Sequence, residues 1–255
     1  MAKMLCKIHK PERAYYLRRW PVSLSFLPNQ TSADITRMSL LSCCEWAGLS
    51  SPSRLRLSGI SYQGVRRLAQ AQEKKGRCNA YHNRNHIAGV IIAAGLLAKK
   101  ANLSQIQTDH LIIAALMHDF GHLGHFRNKA AFWQERKSWQ QAMAILQRAG
   151  CDGRLSKLFY QWVMATSPVA KHDEFAGKDI IASLLVDADL FASLFLAKPK
   201  VRRLSQSVRI EERLCVDLET FIRQFITQCE VNGLASKAAQ ELHALLPAGY
   251  SYFKG

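Results

Sequence analysis

Apolar residues recur every three or four positions through most of the chain, which is the period of an amphipathic α-helix. Serine or threonine precedes several of these segments, while glycine or proline follows them, as is typical of helix starts and stops. No segment alternates polar and apolar residues between hairpin turns, and no internal repeat is present. The predicted fold class is therefore all-α. The predicted helices cover residues 33–46, 61–75, 82–100, 109–119, 129–149, 155–165, 178–197, 208–231 and 235–246.

The beginning of the chain departs from this helical pattern. Residues 1–31 contain three prolines and show no sustained period, and residues 48–59 are rich in serine, arginine and turn-forming residues. Such composition is typical of irregular arms and loops. The predicted organisation is a basic, partly irregular N-terminal extension, residues 1–60, followed by one helical domain, residues 61–255.

The positive charge is also unevenly placed. The 255-residue chain has a formal net charge of +16. Residues 1–80 contain 14 Lys and Arg against 4 Asp and Glu, a net of +10, and residues 81–255 contain 21 against 15, a net of +6. An excess of positive charge favours anionic partners such as nucleotides, nucleic acid or acidic surfaces. Nucleic-acid binding through the basic first third is therefore one hypothesis.

Composition and cysteine pattern exclude several classes of protein. Apolar residues make up 48% of the chain, enough for a buried core, which excludes general disorder. The longest apolar run, Val90–Ala98, has nine residues, whereas a membrane-spanning helix needs about 20. Seven scattered cysteines without a C-x-x-C pair indicate reduced thiols in a cytoplasmic protein. The first thirty residues lack the apolar core of a signal peptide, and their basic character leaves a transit peptide as the alternative.

Two histidine pairs flank strongly apolar helices. His82 and His86 are four residues apart at the start of the predicted helix 82–100, so they are predicted to share one helix face. His118 and His122 have the same spacing at the end of the next helix, and Asp119 directly follows His118. Neutral imidazoles and carboxylates are suitable ligands for divalent Mg, Mn, Fe or Zn.

Two aspartates, Asp187 and Asp189, lie in a third, otherwise apolar helix. Two residues apart on a helix, they point in different directions, so one of them is expected to serve as a ligand. Any of these groups alone is more often a hydrogen-bonded core residue or a helix cap. Together they are expensive to bury without partners, and one shared metal cluster would satisfy them all. A water between two such metals becomes a nucleophile for phosphate esters, so the sequence predicts hydrolytic chemistry.

The order of these residues resembles the HD-domain metal-dependent phosphohydrolases and, more narrowly, the class I 3′,5′-cyclic nucleotide phosphodiesterases. The resemblance is carried by Tyr-His-Asn-x-x-His ending at His86, His-Asp-x-x-His-x-Gly ending at Gly124, and Ala-Asp-Leu around Asp189. It covers about residues 78–195, less than half of the chain. It implies an HD-type multi-helix bundle around a metal site.

The resemblance also implies a set of metal ligands. Divalent ions, two of them and drawn from Mg, Mn, Zn or Fe, would be the cofactors. His86, His118, Asp119 and Asp189 would ligate the first ion, and Asp119 would reach the second through a bridging hydroxide. The family pattern thus selects Asp189 rather than Asp187 as the distal ligand.

Further roles follow from the same resemblance. His82, His122 and Asp119 would be the catalytic residues, with His82 as the general acid that protonates the leaving oxygen, which suits a cationic imidazole. His122 would line the side of the second metal, through water. Tyr81 and Asn83 would shape the pocket and hold the first helix.

The chain departs from the family pattern outside the metal ligands. An asparagine usually stands three residues after the distal aspartate, where this chain has Ala192, and no Gln-x-x-Phe segment that would hold a base is found. The pair Gln224-Phe225 is interpreted as ordinary helix surface and core. Arg127 and Lys129 are candidate phosphate ligands, with a solvated helix start as the alternative.

Three functions remain as hypotheses from the sequence. The first is a metal-dependent phosphodiesterase acting on a 3′,5′-cyclic nucleotide. The second is a nucleotidase or dNTP hydrolase of the HD superfamily, which need not place an acid such as His82 beside the ligand His86. The third is a nucleic-acid-binding or regulatory protein on an inactive HD scaffold. The basic first third favours this last hypothesis, and the complete ligand set opposes it.

Overall fold

The computed structural model describes residues 38–75, 79–124, 131–167, 170, 179–194 and 198–244. This part of the chain is all-α: it contains eleven α-helices and one 3₁₀ turn, Arg56–Ser58, and no β-strand. The helices are α1 (Leu40–Ala47), α2 (Pro52–Leu55), α3 (Tyr62–Lys75), α4 (Arg84–Lys100), α5 (Gln105–Met117), α6 (Trp133–Gln147), α7 (Gly153–Ala165), α8 (Ile180–Ser193), α9 (Lys198–Glu211), α10 (Leu218–Asn232) and α11 (Lys237–His243). None of them is long and apolar enough to cross a membrane.

Helix α4 lies at the centre of the bundle and packs against α1, α5 and α8. Apolar residues surround it almost completely, so nearly every residue between His86 and Ala98 is buried. Its glycine at position 95 allows α1 to approach closely, because a Cβ atom there would lie 2.4 Å from the backbone oxygen of Ala47. One of the two segments that carry the histidine pairs thus adjoins the central helix itself, and the other adjoins α5, which packs against it.

The described part of the predicted N-terminal extension belongs to this same core. Leu40, Cys43, Leu55 and Ile60 are all buried among the core residues, and α1 packs directly on α4. Described residues on both sides of position 60 therefore share one cluster of buried apolar side chains, and the predicted boundary there stays a prediction. Residues 1–37, which include the predicted irregular arm, lie outside the described residues.

Several predicted helix starts are shifted by capping residues. Ser104 is the N-cap of α5, and its side chain forms a capping box with Gln107. The helix therefore begins at Gln105, four residues before the predicted start at Asp109. Helix α1 is capped by Ser39, well after the predicted start. The predicted loop 48–59 contains α2 and the 3₁₀ turn.

The predicted single helix 208–231 is wrong, because two helices occupy this region. Helix α9 ends at Glu211, Arg213 has a φ of 51°, and Asp217 accepts a hydrogen bond from the Thr220 amide at the start of α10. The amphipathic pattern continues across this break, so periodicity alone does not reveal it. The break brings Glu211 to the end of a helix, where it faces the histidines described next.

Candidate metal centre and catalytic cavity

Four of the predicted ligands converge on one point, and we call them the inner cluster: His86, His118, Asp119 and Asp189. The Nε2 atoms of His86 and His118 lie 3.3 Å apart. Oδ2 of Asp119 is 3.2 Å from the first of these nitrogens and 3.0 Å from the second. Oδ1 of Asp189 is 3.3 Å from Nε2 of His86. The ligand atoms of His86, His118 and Asp119 thus all lie within 4.8 Å of one another, and Asp189 adjoins them through its contact with His86.

The start of α4 is built so that His86 points into this cluster. Asn83 is the N-cap of the helix, and its side-chain oxygen accepts hydrogen bonds from the amides of Asn85 and His86. The Nδ2 atom of Asn79 donates to the backbone oxygens of His82 and His122, which joins the two histidine segments. The predicted role of Asn83 in holding the first helix agrees with these contacts.

The end of α5 places the His-Asp pair in a turn rather than in a continued helix. His118 is the C-cap residue, and its Nδ1 lies 2.8 Å from the backbone oxygen of Ala115, which it reaches as a donor. Nε2 of His118 is then left to bind a cation. Gln72 of α3 clamps the turn, because its amide donates to the backbone oxygen of Asp119 and accepts from the Gly121 amide.

The charges of the inner cluster stabilise one another. Burial would lower the pKa of His118, but the adjacent Asp119 carboxylate overcomes this effect and raises the pKa to about 9. Burial would raise the pKa of Asp119, but His118 and His82 hold that pKa well below its usual range. A divalent cation would supply the same positive charge, and this donor set is one that such cations prefer. The residues present therefore fit a metal ion.

The other histidine of each pair belongs to a second group, which we call the outer cluster: His82, His122 and Glu211. The imidazole rings of His82 and His122 stack with centroids 3.5 Å apart. Oε1 of Glu211 lies 2.6 Å from Nδ1 of His82 and 3.3 Å from Nδ1 of His122. Nε2 of His82 is 3.9 Å from Oδ2 of Asp119, which links the two clusters.

Glu211 orients the segment that contains His82. Its Oε2 accepts hydrogen bonds from the backbone amides of Tyr81 and His82. Burial opposes its ionisation, but its contacts with His122 and His82 hold the pKa of Glu211 well below its usual range. An ionised carboxylate only accepts, so Nδ1 of His82 donates to it and Nε2 is left for the cavity.

The two candidate distal aspartates have separate surroundings. Asp189 reaches the inner cluster, as given above. The Asp187 side chain is completely buried and accepts hydrogen bonds from the amides of Ala235 and Ser236, at the start of α11. Desolvation by burial raises the pKa of Asp187 to about 6. Asp187 thus holds α11 to the bundle and lies away from the other ligands.

A cavity of about 390 Å³ opens beside both clusters. Asp119, Asp189, His82 and His122 line one side of it. Apolar residues form much of the rest of the lining, and we call them the apolar wall: Val186, Leu190, Val208, Leu214, Phe221 and Phe225. The rings of Phe221 and Phe225 are nearly parallel, at 11° and 5.9 Å between centroids. Phe225 packs against the core, as its interpretation from the sequence expects, and it also lines the cavity.

The remaining predicted site residues are distributed as follows. Tyr81 lines the cavity, is buried, and has its hydroxyl hydrogen-bonded to that of Ser193. Asn83 caps α4. Arg127 and Lys129 lie outside the described residues, so the structure gives no position for either side chain.

Sequence reasoning missed several residues of the site. Glu211 falls within the predicted helix 208–231 and Gln72 within the predicted helix 61–75, and the sequence predicts no role at the site for either residue. Glu135 also lines the cavity, and burial raises its pKa. A carboxylate next to the end of an amphipathic helix is too common to indicate a site, so no sequence signal identifies Glu211 by itself.

Comparison with protein-family models and with curated proteins gives no match. Among solved structures, the chain is similar to the crystal structure of the phosphodiesterase domain of the RhoPDE fusion protein from the choanoflagellate Salpingoeca rosetta. The identity is 19%, the match covers 80% of this chain and 83% of that chain, and the TM-score is 0.58. A crystal structure of the phosphodiesterase domain of Salpingoeca rosetta rhodopsin phosphodiesterase is 17% identical, with 80% of each chain covered and a TM-score of 0.53. The chain therefore has the fold of these phosphodiesterase domains.

Proposed function

We propose that this protein is a metal-dependent phosphodiesterase that hydrolyses a 3′,5′-cyclic nucleotide. The observation that carries the proposal is the pairing of two clusters at one cavity. Metal-type donor atoms of His118, Asp119 and Asp189 each lie within 3.3 Å of Nε2 of His86, and a histidine held by a carboxylate adjoins them, with 3.9 Å from Nε2 of His82 to Oδ2 of Asp119. The inner cluster is suited to activate a water molecule, and the outer cluster is suited to protonate a leaving oxygen.

The inner cluster would hold the catalytic cation. His86 and His118 would offer their Nε2 atoms, and Asp119 and Asp189 one carboxylate oxygen each. A bound divalent cation lowers the pKa of water to near neutrality and neutralises charge on a phosphate. The histidine tautomers support this assignment, because Nδ1 of His118 is occupied by the Ala115 carbonyl.

His82 would act as the general acid. The Glu211 carboxylate holds its Nδ1 at 2.6 Å and favours the cationic form, whereas burial lowers the pKa of His82. A proton held on Nε2 would pass to the leaving oxygen of the substrate, and the cation at the inner cluster would stay in place. Proton transfer of this kind contributes about 10²- to 10⁴-fold in rate.

The apolar wall would hold the organic part of the substrate. The parallel rings of Phe221 and Phe225, with Leu190 and Leu214, provide a surface for a flat, weakly polar group such as a nucleobase. This arrangement favours a nucleotide over inorganic or purely aliphatic phosphoesters.

The proposal is tested by metal analysis and by a substrate panel. The purified protein is assayed with Mn²⁺ or Mg²⁺ on cyclic mononucleotides, cyclic dinucleotides, nucleoside monophosphates and nucleoside triphosphates. We expect metal-dependent hydrolysis of a cyclic mononucleotide. Hydrolysis of triphosphates alone would replace the proposal with the dNTP-hydrolase alternative, and salt-sensitive nucleic-acid binding without hydrolysis would replace it with the regulatory one.

Three variants test the assignment of roles. Asp119→Ala should lose both metal and turnover, whereas His82→Ala should keep the metal and lose turnover. His243→Ala, which removes a histidine of α11, is the matched control and should keep both. Full activity and metal content in Asp119→Ala would show that the site is wrongly assigned.

A further inference from the structure

The ring of Tyr81 contacts a histidine of each cluster. Its centroid is 4.7 Å from that of His82, at an interplanar angle of 89°, and 4.6 Å from that of His86, at 36°. The tyrosine is buried, and its hydroxyl is hydrogen-bonded to that of Ser193, 112 positions further along the chain. One side chain therefore connects the proposed acid and a proposed metal ligand to the last residue of α8.

The hydrogen bonds of Ser193 have a defined direction. Its hydroxyl donates to the backbone oxygen of Asp189, at 2.9 Å, which is a common bond between a serine and the residue four positions earlier in a helix. A serine hydroxyl has one proton, so towards Tyr81 it accepts, and the phenol is the donor. A chain of two hydrogen bonds therefore runs from Tyr81 through Ser193 to the backbone of Asp189.

This chain of hydrogen bonds ends at a residue of the inner cluster. The Asp189 carboxylate lies 3.3 Å from Nε2 of His86, and the Tyr81 ring packs on the same imidazole. Two contacts thus join the last turn of α8 to the segment 81–86: a carboxylate at the cluster and a pair of hydroxyls beside it. The hydroxyl pair is buried, and a buried polar network whose members are all satisfied makes its surroundings more rigid.

We infer that Tyr81 and Ser193 are positioning residues that hold the Asp189 carboxylate beside His86 and so raise the affinity of the inner cluster for a divalent cation, an inference that rests on the metal site of the proposed function. A ligand that is already in place loses less freedom when it binds, which is the general advantage of preorganisation. Groups that support metal ligands in this way contribute about 10- to 100-fold to metal affinity. Loss of the hydroxyl pair should therefore weaken the metal site without removing a ligand.

The test measures Mn²⁺ binding to the metal-free protein by calorimetry, in Tyr81→Phe, in Ser193→Ala and in the double variant. Each single variant breaks the hydrogen bond between the two hydroxyls, so each should raise the dissociation constant for Mn²⁺ about tenfold. The double variant should also lose about tenfold rather than about a hundredfold, because the second substitution finds no such bond left to break. Losses that multiply in the double variant would overturn the inference, and so would wild-type affinity in either single variant.

Stability distinguishes a positioning role from a general structural one. Ser193→Ala leaves the buried phenol of Tyr81 without its acceptor, whereas in Tyr81→Phe the serine hydroxyl keeps its bond to Asp189. Ser193→Ala should therefore lose more unfolding free energy than Tyr81→Phe in urea denaturation, yet the two variants should lose similar metal affinity. Metal affinity that falls in proportion to unfolding free energy would overturn the positioning role.

Matched controls are available for both substitutions. Tyr160→Phe removes a tyrosine hydroxyl from α7. Ser207→Ala removes from α9 a serine hydroxyl that donates to the backbone oxygen four residues earlier, that of Arg203. Neither of these two described residues belongs to the cavity lining, so both controls should bind Mn²⁺ with wild-type affinity. A comparable loss in the controls would show that the effect is not specific to the Tyr81–Ser193 pair.

Metal binding also separates failure of this inference from failure of the proposed function. Calorimetry needs no substrate, so a protein that binds Mn²⁺ but hydrolyses no cyclic nucleotide still tests the role of Tyr81 and Ser193. If hydrolysis is found, the Mn²⁺ concentration for half-maximal turnover should rise in both variants by the factor measured in calorimetry. A wild-type protein that binds no Mn²⁺ would overturn this inference together with the metal site.

Discussion

The histidines of the inner and outer clusters come from the same two short segments, yet each segment divides its histidines between the two clusters. His86 and His118 meet in the inner cluster with 3.3 Å between their Nε2 atoms, and His82 and His122 stack in the outer one. The four-residue spacing predicts the opposite grouping, with both members of a pair on one helix face. The difference arises because His82 precedes α4, and because the chain turns after Met117 at the end of α5.

The two clusters also differ in what holds them in place. The inner cluster is carried by the central helix, by the end of α5 and by α8, with helix caps and a buried glutamine as supports. The outer cluster depends on one carboxylate, Glu211, from the end of α9. Substitutions should therefore separate metal binding from proton transfer.

The largest expected effect is at the distal ligand, where two aspartates of α8 can be compared. Asp189→Asn should lose metal and reduce turnover by more than about a hundredfold. Removal of a group that only hydrogen-bonds a metal ligand already costs about 10- to 100-fold, and removal of the ligand itself should cost more. Asp187→Asn should keep the metal and lose about 1–3 kcal/mol of unfolding free energy, since one of the two backbone amides that precede α11 is left without its acceptor. Plasma mass spectrometry and urea denaturation measure the two effects. The assignment is wrong if Asp187→Asn is the variant that loses metal.

The next effect isolates the outer cluster. Glu211→Gln removes the charge that favours the cationic form of His82, so turnover should fall by about 10²-fold or more while metal content stays at the wild-type level. Removal of this charge lowers the pKa of His82 further than burial already does. The acid form of His82 is then lost at lower pH, and the alkaline limb of the kcat profile should move to lower pH.

The pH profile of kcat and the metal content are measured on the same preparations. The control is Glu219→Gln, which removes an exposed carboxylate at the start of α10 and should leave both the pH profile and the metal content unchanged. A Glu211→Gln protein that loses its metal would show that the clusters are not separable.

A smaller effect is expected from the glycine that faces Glu211. Gly124 has a φ of +72°, and a Cβ atom there would lie 3.3 Å from Cγ of Glu211. Gly124→Ala should displace this carboxylate and reduce turnover about tenfold, as misplacement of a supporting group does. Gly150 has a φ of +94°, and a Cβ atom there would meet nothing within 4 Å. Gly150→Ala is therefore the control, because it introduces the same kind of backbone strain without a contact to a side chain.

Both alanine variants should lose about 1–2 kcal/mol of unfolding free energy from the left-handed backbone. Only Gly124→Ala should lose turnover. An equal loss of turnover in the two proteins would mean that backbone strain, rather than contact with Glu211, disturbs the site.

The smallest expected effect is the release of a proton when the metal binds. In the metal-free protein the pKa of His118 is raised to about 9, so at pH 7.5 this imidazole carries a proton that a cation must displace. Calorimetry in buffers of different ionisation enthalpy should therefore detect proton release when Mn²⁺ binds, and affinity should rise with pH up to about 9. Glu211→Gln should not change the release, whereas Asp119→Asn should reduce it. Release that depends on Glu211 instead would place the proton in the outer cluster.

Much of the fold and of the inner cluster could be predicted from the chain alone. The three- and four-residue period gives the helical class and most helices, and the ligand types in apolar helices indicate a shared cation. The helical class can be predicted because the period of apolar residues depends only on neighbouring positions. The shared cation can be predicted because an ionisable group in an apolar helix needs a partner wherever that helix packs. Such reasoning could not place the helix break after Glu211, because amphipathicity continues across it.

By itself, the sequence determined that the chain is helical, that its ionisable residues lie at three apolar helices, and that this donor set suits a divalent cation. The family resemblance separates His86 and His118 from His82 and His122 and selects Asp189 over Asp187. Only the tertiary structure decided which contacts make these groups, that Asp187 accepts from the amides that precede α11, and that Glu211 reaches His82 across 129 positions of sequence. Periodicity reports the face on which a residue lies. Which distant group meets that face depends on how the helices cross and where they end.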